Sequence, residues 1–134
     1  MNAKEANEFI ARSTRGVLAT IKRDGRPQLS NVAYTLDDDG RIKISVTRDR
    51  AKTRNLIRDP RASLLVLGDN WYQYVVVDAK ADIQDGPDTL AELRRVYQRI
   101  AGKPHPNWAE FDEAMVRDGR VILALTVERL YPLD

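Results

Sequence analysis

Gly16-Val17-Leu18-Ala19-Thr20-Ile21-Lys22-Arg23-Asp24-Gly25-Arg26-Pro27-Gln28-Leu29-Ser30-Asn31 is the stretch on which the fold of this chain turns. Val17 to Ile21 is rich in β-formers and stops at Arg23-Asp24-Gly25, where the Asp-Gly pair is a strong hairpin signal. The run from Pro27 to Leu36 brings Leu29, Val32, Tyr34 and Leu36, and Asp37-Asp38-Asp39-Gly40 closes it with a second turn. Ile42, Ile44 and Val46 then alternate with Lys43, Ser45 and Thr47, the pattern of a half-buried strand. Three strands joined by tight turns predict an antiparallel meander.

Outward from this core the texture changes. Upstream, Ala3, Ala6, Phe9 and Ile10 share one face of an expected helix. Downstream, Arg50 to Arg58 reads as a short helix stopped at Asp59-Pro60. Arg61 to Leu67 and Tyr72 to Ile83 read as strands around a Gly68-Asp69-Asn70 turn. Leu90, Leu93, Val96, Tyr97 and Ile100 form the stripe of a second long helix, with capping-box spacing between Thr89 and Glu92. Asn107 opens a further helix, and Arg120 to Leu133 is a final strand in which Val121, Leu123, Leu125 and Val127 alternate. The 134 residues form a single domain of the α+β class: a small antiparallel barrel of about six strands with flanking helices.

Composition narrows the chemistry. With no cysteine there is no disulfide framework, thiol nucleophile, zinc ribbon or iron–sulfur cluster. No apolar stretch is long enough to span a membrane, and the start lacks an apolar signal core, so a cytoplasmic location is expected. A net charge of only +2 argues against a general nucleic-acid binder. That total is unevenly spread. Arg48 to Arg61 holds six basic and two acidic residues, an excess of four positive charges, so the remainder of the chain is slightly acidic.

Arg50 and Lys52 crowd the expected helix start, where the dipole disfavours cations. A bound anion relieves that conflict, because free N–H groups at a helix start favour phosphate. Arg50 can clamp it bidentately, Lys52 can act as a point charge, and Asn55 lies one turn beyond Ala51. A solvated basic helix is the alternative reading. Gln28, Ser30 and Asn31 put three polar side chains on a strand after Pro27, which suits a ligand with hydrogen-bonding edges and equally suits an edge strand. Trp71, Tyr72 and Tyr74 can stack on a planar ring or can pack in a core or a dimer. His105, the only histidine, sits between prolines in a loop and reads as structural. Asp37 to Asp39 reads as a turn. No metal-ligand set and no side-chain hydrolytic constellation stands out.

Together, Gly16-Val17-Leu18-Ala19-Thr20, Asp24 to Asn31, Arg50-Ala51-Lys52-Thr53-Arg54-Asn55-Leu56 and Arg58-Asp59-Pro60-Arg61-Ala62-Ser63 resemble the split-barrel flavoproteins of the pyridoxamine-phosphate-oxidase type. The chain looks most like the actinobacterial branch that uses the deazaflavin coenzyme F420. The resemblance covers residues 14 to 131. It implies a six-stranded antiparallel split β-barrel, of the FMN-binding split-barrel type, that forms a homodimer with two cofactor sites at the interface. It carries the cofactor phosphate to Arg50, Ala51, Lys52 and Asn55. The ring system is carried to Pro27, Gln28, Leu29, Ser30 and Asn31, and the acidic tail to Lys22 and Arg26. Tyr72 and Tyr74 of the partner subunit are implied as a cover. Many relatives have a glycine within the stretch that reads Val77-Asp78-Ala79-Lys80-Ala81 here. The implied activity is hydride transfer from reduced deazaflavin to a conjugated small molecule: a biliverdin-like tetrapyrrole, a quinone or an unsaturated lactone. The alternatives are an FMN enzyme of the same fold and a non-catalytic cofactor- or tetrapyrrole-binding protein. No nucleic-acid or membrane partner is implied, and no catalytic side chain stands out.

Overall fold

Both Asp-Gly pairs form the turns expected of them. In the computed structural model, which describes residues 1–134, Gly25 and Gly40 take φ values of 88° and 82°. Glycine adopts this left-handed region without a Cβ clash. Lys22 N–H donates to Arg26 O at 2.8 Å and Asp37 N–H donates to Arg41 O at 2.8 Å. In each turn the aspartate before glycine accepts from the arginine N–H after it, at 3.0 Å for Asp24 and 2.9 Å for Asp39. Two hairpins result: β1 (Arg15–Ile21) with β2 (Pro27–Ala33), and β3 (Thr35–Leu36) with β4 (Ile42–Thr47).

The expected meander does not form, because the run from Pro27 to Leu36 is broken at Tyr34. That residue is fully buried. Its N–H donates to Thr14 O at 2.8 Å and its hydroxyl to Ile10 O at 2.7 Å, pinning it to the end of α1 (Ala3–Arg12). Burial pushes its phenol pKa up to about 12. The chain changes direction there, so the two hairpins reach opposite edges of the sheet. The sheet therefore has seven strands where six are expected.

The remaining elements are α2 (Ala51–Arg58), β5 (Arg61–Leu67), β6 (Tyr74–Gln84), α3 (Thr89–Ala101), α4 (Trp108–Asp118) and β7 (Arg120–Tyr131). The strand order is β2-β1-β5-β6-β7-β4-β3, with every neighbour antiparallel. The sheet curls around one apolar cluster that joins Leu18, Leu64, Val77, Leu123 and Ile44 to Ile10 of α1 and Leu56 of α2. Gly16 lets β1 close on β5: a Cβ there would stand 2.8 Å from Leu65 O and 2.8 Å from a Leu64 methyl. A β-bulge falls where Asp78 and Ala79 face Arg129 and Val127, and the unpaired residue, Glu128, lies on β7. No helix is long and apolar enough to cross a membrane.

Several local expectations are corrected. A second apolar cluster, Leu93, Val96 and Phe111 of α3 and α4 against Ile122, covers the other face of β7. Residues Val121 to Leu125 are consequently all buried, and strict alternation fails. Lys43, whose position in an alternating strand implies solvent, is buried too, beside Glu92 of α3. Thr89 and Glu92 form no capping box: the N-cap of α3 is Asp88, Thr89 Oγ1 accepts from Gly86 N–H at 2.7 Å, and Glu92 turns to Arg95 at 2.7 Å. The reciprocal box occurs instead at α1, between Asn2 and Glu5. Ala3 is exposed, outside the buried face of that helix. Trp71 and Tyr72 belong to the β5–β6 turn, not to a strand.

Candidate functional site

The start of α2 is electrostatically incomplete. Its N-cap is Arg50, an extended residue that supplies no side-chain cap, and its first turn holds no acidic residue. Four backbone N–H groups at a helix start lack intrahelical partners. Thr53 Oγ1 donates to Thr47 O at 2.9 Å and locks the first turn against the end of β4. At the other end, Arg58 donates to Ile21 O, and the buried Asn55 donates through Nδ2 to Thr20 Oγ1 at 3.1 Å. The helix is thus fixed between β4 and β1. Asn55 spends one of its amide donors on this scaffold.

Lys22, Arg23, Arg26, Arg50, Lys52, Arg54 and Arg120 take no part in any of the chain's ion pairs. Lys52 is half-buried. Desolvation, then the charges of Arg50 and Arg120, hold its pKa below the usual lysine value. The cations at this helix start repel one another. An anion is the chemical species that reverses this and also accepts from the free N–H groups.

A cleft of about 650 Å³ runs between the outer side of α2 and the β1–β2 turn. Lys22, Gln28, Ala51 and Asn55 line it, as do Arg23, Arg54 and Arg58, which sequence reading passed over. A helical wheel holds the missing signal, because Ala51, Arg54, Asn55 and Arg58 recur at helical spacing on one face. Arg26 is exposed beyond the turn.

The other residues of β2 divide by face. Register pairs Gln28 with Thr20 and Ser30 with Leu18, on the inner side of the sheet. Pro27, Leu29 and Asn31 pair with Ile21, Ala19 and Val17 on the outer side. This outer face continues through Leu65 and Val76 to Tyr131 and carries two depressions. One holds Pro27 beside Ser63, whose hydroxyl donates to Asp78 at 2.7 Å; the other holds Asn31, Val17 and Leu65. Leu29 is 64% exposed, Trp71 75% and Tyr72 86%. Tyr74 pairs with Leu67 at one end of β5, and α2 meets the other end at Arg61. Seven extended residues span about 20 Å. Within one chain, Tyr72 and Tyr74 are therefore not brought to the cationic site.

His105 packs in an aromatic cluster, with ring centroids 5.1 Å from Tyr97, 5.8 Å from Trp108 and 5.4 Å from Phe111. Its Nδ1 accepts from Asn107 N–H at 3.0 Å. No group of His, Asp or Glu side chains is arranged to hold a metal.

A wider groove, about 760 Å³, lies elsewhere, between the β3–β4 turn and the start of α3. Asp37, read from sequence as part of a turn, is buried there. It accepts from Lys43 Nζ at 2.8 Å and from both terminal nitrogens of Arg95 at 2.6 Å. Arg95 chiefly, with Lys43, holds the Asp37 carboxyl far below the usual carboxylate range. These charges are mutually neutralised, so the groove lacks the unmet demand found at α2. No sequence signal foretold it, because the pairing crosses 58 residues.

The chain is similar to solved structures over nearly its whole length. A conserved hypothetical protein, Rv2991, of Mycobacterium tuberculosis is 29% identical with a TM-score of 0.79, over 97% of this chain and 82% of that one. An F420 reductase is 25% identical with a TM-score of 0.70, over 93% and 94%. The heme storage protein HutZ of Vibrio cholerae shares the fold at 20% identity, with a TM-score of 0.67 over 98% and 94%. The family model for pyridoxamine 5'-phosphate oxidase matches residues 3–134. The match covers nearly the whole chain, which folds as a curled antiparallel sheet, and the chain belongs to the pyridoxamine 5'-phosphate oxidase family.

Proposed function

We propose that this protein is a homodimeric reductase that uses coenzyme F420 to reduce a conjugated small molecule. The observation that carries the reading is the uncapped start of α2 with Arg50 and Lys52, next to a cleft in which Lys22, Arg23, Arg54 and Arg58 face one carboxylate, Asp24. It suits a ligand with a phosphate and further acidic groups, which coenzyme F420 has and FMN lacks. The F420 reductase at 25% identity supports the same choice.

In this reading Arg50, Lys52 and the N–H groups around Ala51 hold the phosphate. Lys22 and Arg26, with Arg54 beside them, hold the acidic tail. Gln28 and Ser30 offer hydrogen-bonding groups along β2, while Pro27, Leu29 and Asn31 supply the outer surface for the ring. Asn55 holds the helix in place through Thr20. Tyr72 and Tyr74 of the partner subunit exclude water from the site. When bound and reduced, the cofactor supplies the hydride, and the protein contributes orientation and electrostatics. The acceptor belongs to the tetrapyrrole, quinone or unsaturated-lactone classes.

Titrating ligand-free protein with oxidised F420 and with FMN, followed by fluorescence, tests the choice of cofactor. F420 should bind at least roughly tenfold tighter, the scale of one charge-assisted contact. Equal or tighter FMN binding overturns the F420 reading. Tight F420 binding with no oxidation of reduced F420 by any acceptor class would make this a binding protein.

A further inference from the structure

Arg120 opens β7 and pairs in register with Thr47, the last residue of β4. Thr47 O is also the acceptor for Arg50 N–H at 3.2 Å and for Thr53 Oγ1 at 2.9 Å. One residue thus ties the start of β7 to the start of α2. The neighbouring Arg48 is neutralised by Asp85 at 2.6 Å, and Arg94, Arg95 and Arg99 each hold a carboxylate. Arg120 holds none. Its one hydrogen bond is a long 3.4 Å contact to Ser45 O, and its Nε is buried with no partner at all. Buried polar groups are ordinarily satisfied, and a guanidinium left short of acceptors beside two other cations is unfavourable.

We propose that Arg120 is a third side-chain cation for the phosphate at the start of α2, making the site selective for phosphorylated over unphosphorylated forms of the cofactor. This rests on the reading that α2 receives the cofactor phosphate. The pairing of Arg120 with Thr47, to which Arg50 N–H is bonded, brings the start of β7 beside the start of α2, and the Arg120 charge is felt at Lys52. A phosphate offers acceptor oxygens and opposite charge, the two things these cations lack. A helix start with Arg50 and Lys52 alone would bind the same group more weakly. The third charge comes from a residue 68 positions beyond Lys52, outside any local motif.

The test compares dissociation constants for F420 and for its phosphate-free deazaflavin core in the parent protein and in Arg120→Met, Arg120→Lys and Lys52→Ala. Methionine keeps an apolar stem and removes the charge; lysine keeps the charge. Arg120→Met should weaken F420 binding roughly tenfold and leave binding of the core within about twofold, with Arg120→Lys in between. Unchanged F420 affinity in Arg120→Met, or equal weakening of both ligands, overturns the inference. If Lys52→Ala weakens F420 and Arg120→Met does not, this inference alone fails. If neither variant weakens it, the phosphate site itself is misplaced. A readout free of mutation is the Arg120 Nε–H resonance of the parent protein during titration with inorganic phosphate. It should shift together with Lys52 Nζ, and a stationary Arg120 signal counts against the proposal even if the variants misfold.

Discussion

Lys52 carries a charge that the ligand-free protein disfavours. Its pKa is lowered first by desolvation and then by Arg50 and Arg120, so the cationic form is the costly one in the folded state. Lys52→Ala should therefore leave the melting temperature of the empty protein unchanged or raised. The same change should weaken F420 binding by about 1–3 kcal/mol, the worth of a charge-assisted hydrogen bond. Calorimetry with and without the cofactor reads both effects, and a drop in melting temperature with unchanged affinity would make Lys52 a structural residue. Asn55 shows the limit of local reading. Its spacing from Ala51 and Lys52 is visible in sequence, yet its bond to Thr20 crosses 35 residues and becomes visible only once β1 lies beside α2.

The ion cluster around Asp37 and the aromatic cluster around His105 both fasten α3 to the rest of the protein. Asp37 and Lys43 side chains are each only 4% exposed, and Arg95 reaches them from α3. Because the folded Asp37 pKa is depressed, its contribution to stability is complete above the unfolded value of about 4. It is lost as pH falls below that value toward the folded pKa. Urea midpoints should decline as pH is lowered through that window. Asp37→Asn should flatten this dependence and cost about 1–3 kcal/mol at neutral pH, because Lys43 and Arg95 lose their closest carboxylate while Asp39 stays 3.4 Å from Lys43 Nζ. A steep acid dependence surviving in the variant would assign it to other carboxylates. His105 contributes by packing, so His105→Ala should cost about 1 kcal/mol of stability and leave F420 affinity intact. A large loss of affinity would place that loop in the site. Helix positions were legible from their apolar stripes. The cap of α3 was not, since Thr89 and Glu92 had nearer competitors for their side chains in Gly86 and Arg95.

A molecule this small leaves much apolar surface uncovered. Leu29, Leu67, Trp71, Tyr72, Tyr74 and Tyr131 are all exposed on or beside the outer sheet face. Exposed apolar surface of this kind marks an interaction site, and the proposed homodimer would cover it and bring the second copy's Tyr72 and Tyr74 to the cationic cleft. Sedimentation should find a dimer. Leu67→Glu, which places a charge on that face away from the residues assigned to the ring, should yield a monomer and reduce F420 affinity more than tenfold, about 1.4 kcal/mol or more. A monomeric variant with full affinity would show that each chain completes its own site. By itself, the sequence determined the strands, both Asp-Gly turns, the short helix and the excess positive charge at its start, because these depend on backbone preference and on neighbours a few residues apart. Only the tertiary structure decided that the two hairpins part at Tyr34, that Lys43 is buried, that Asp37 holds Arg95, and that Arg120 stands with Lys52. Those outcomes depend on which distant surfaces the curled sheet brings together, and local periodicity carries no record of that.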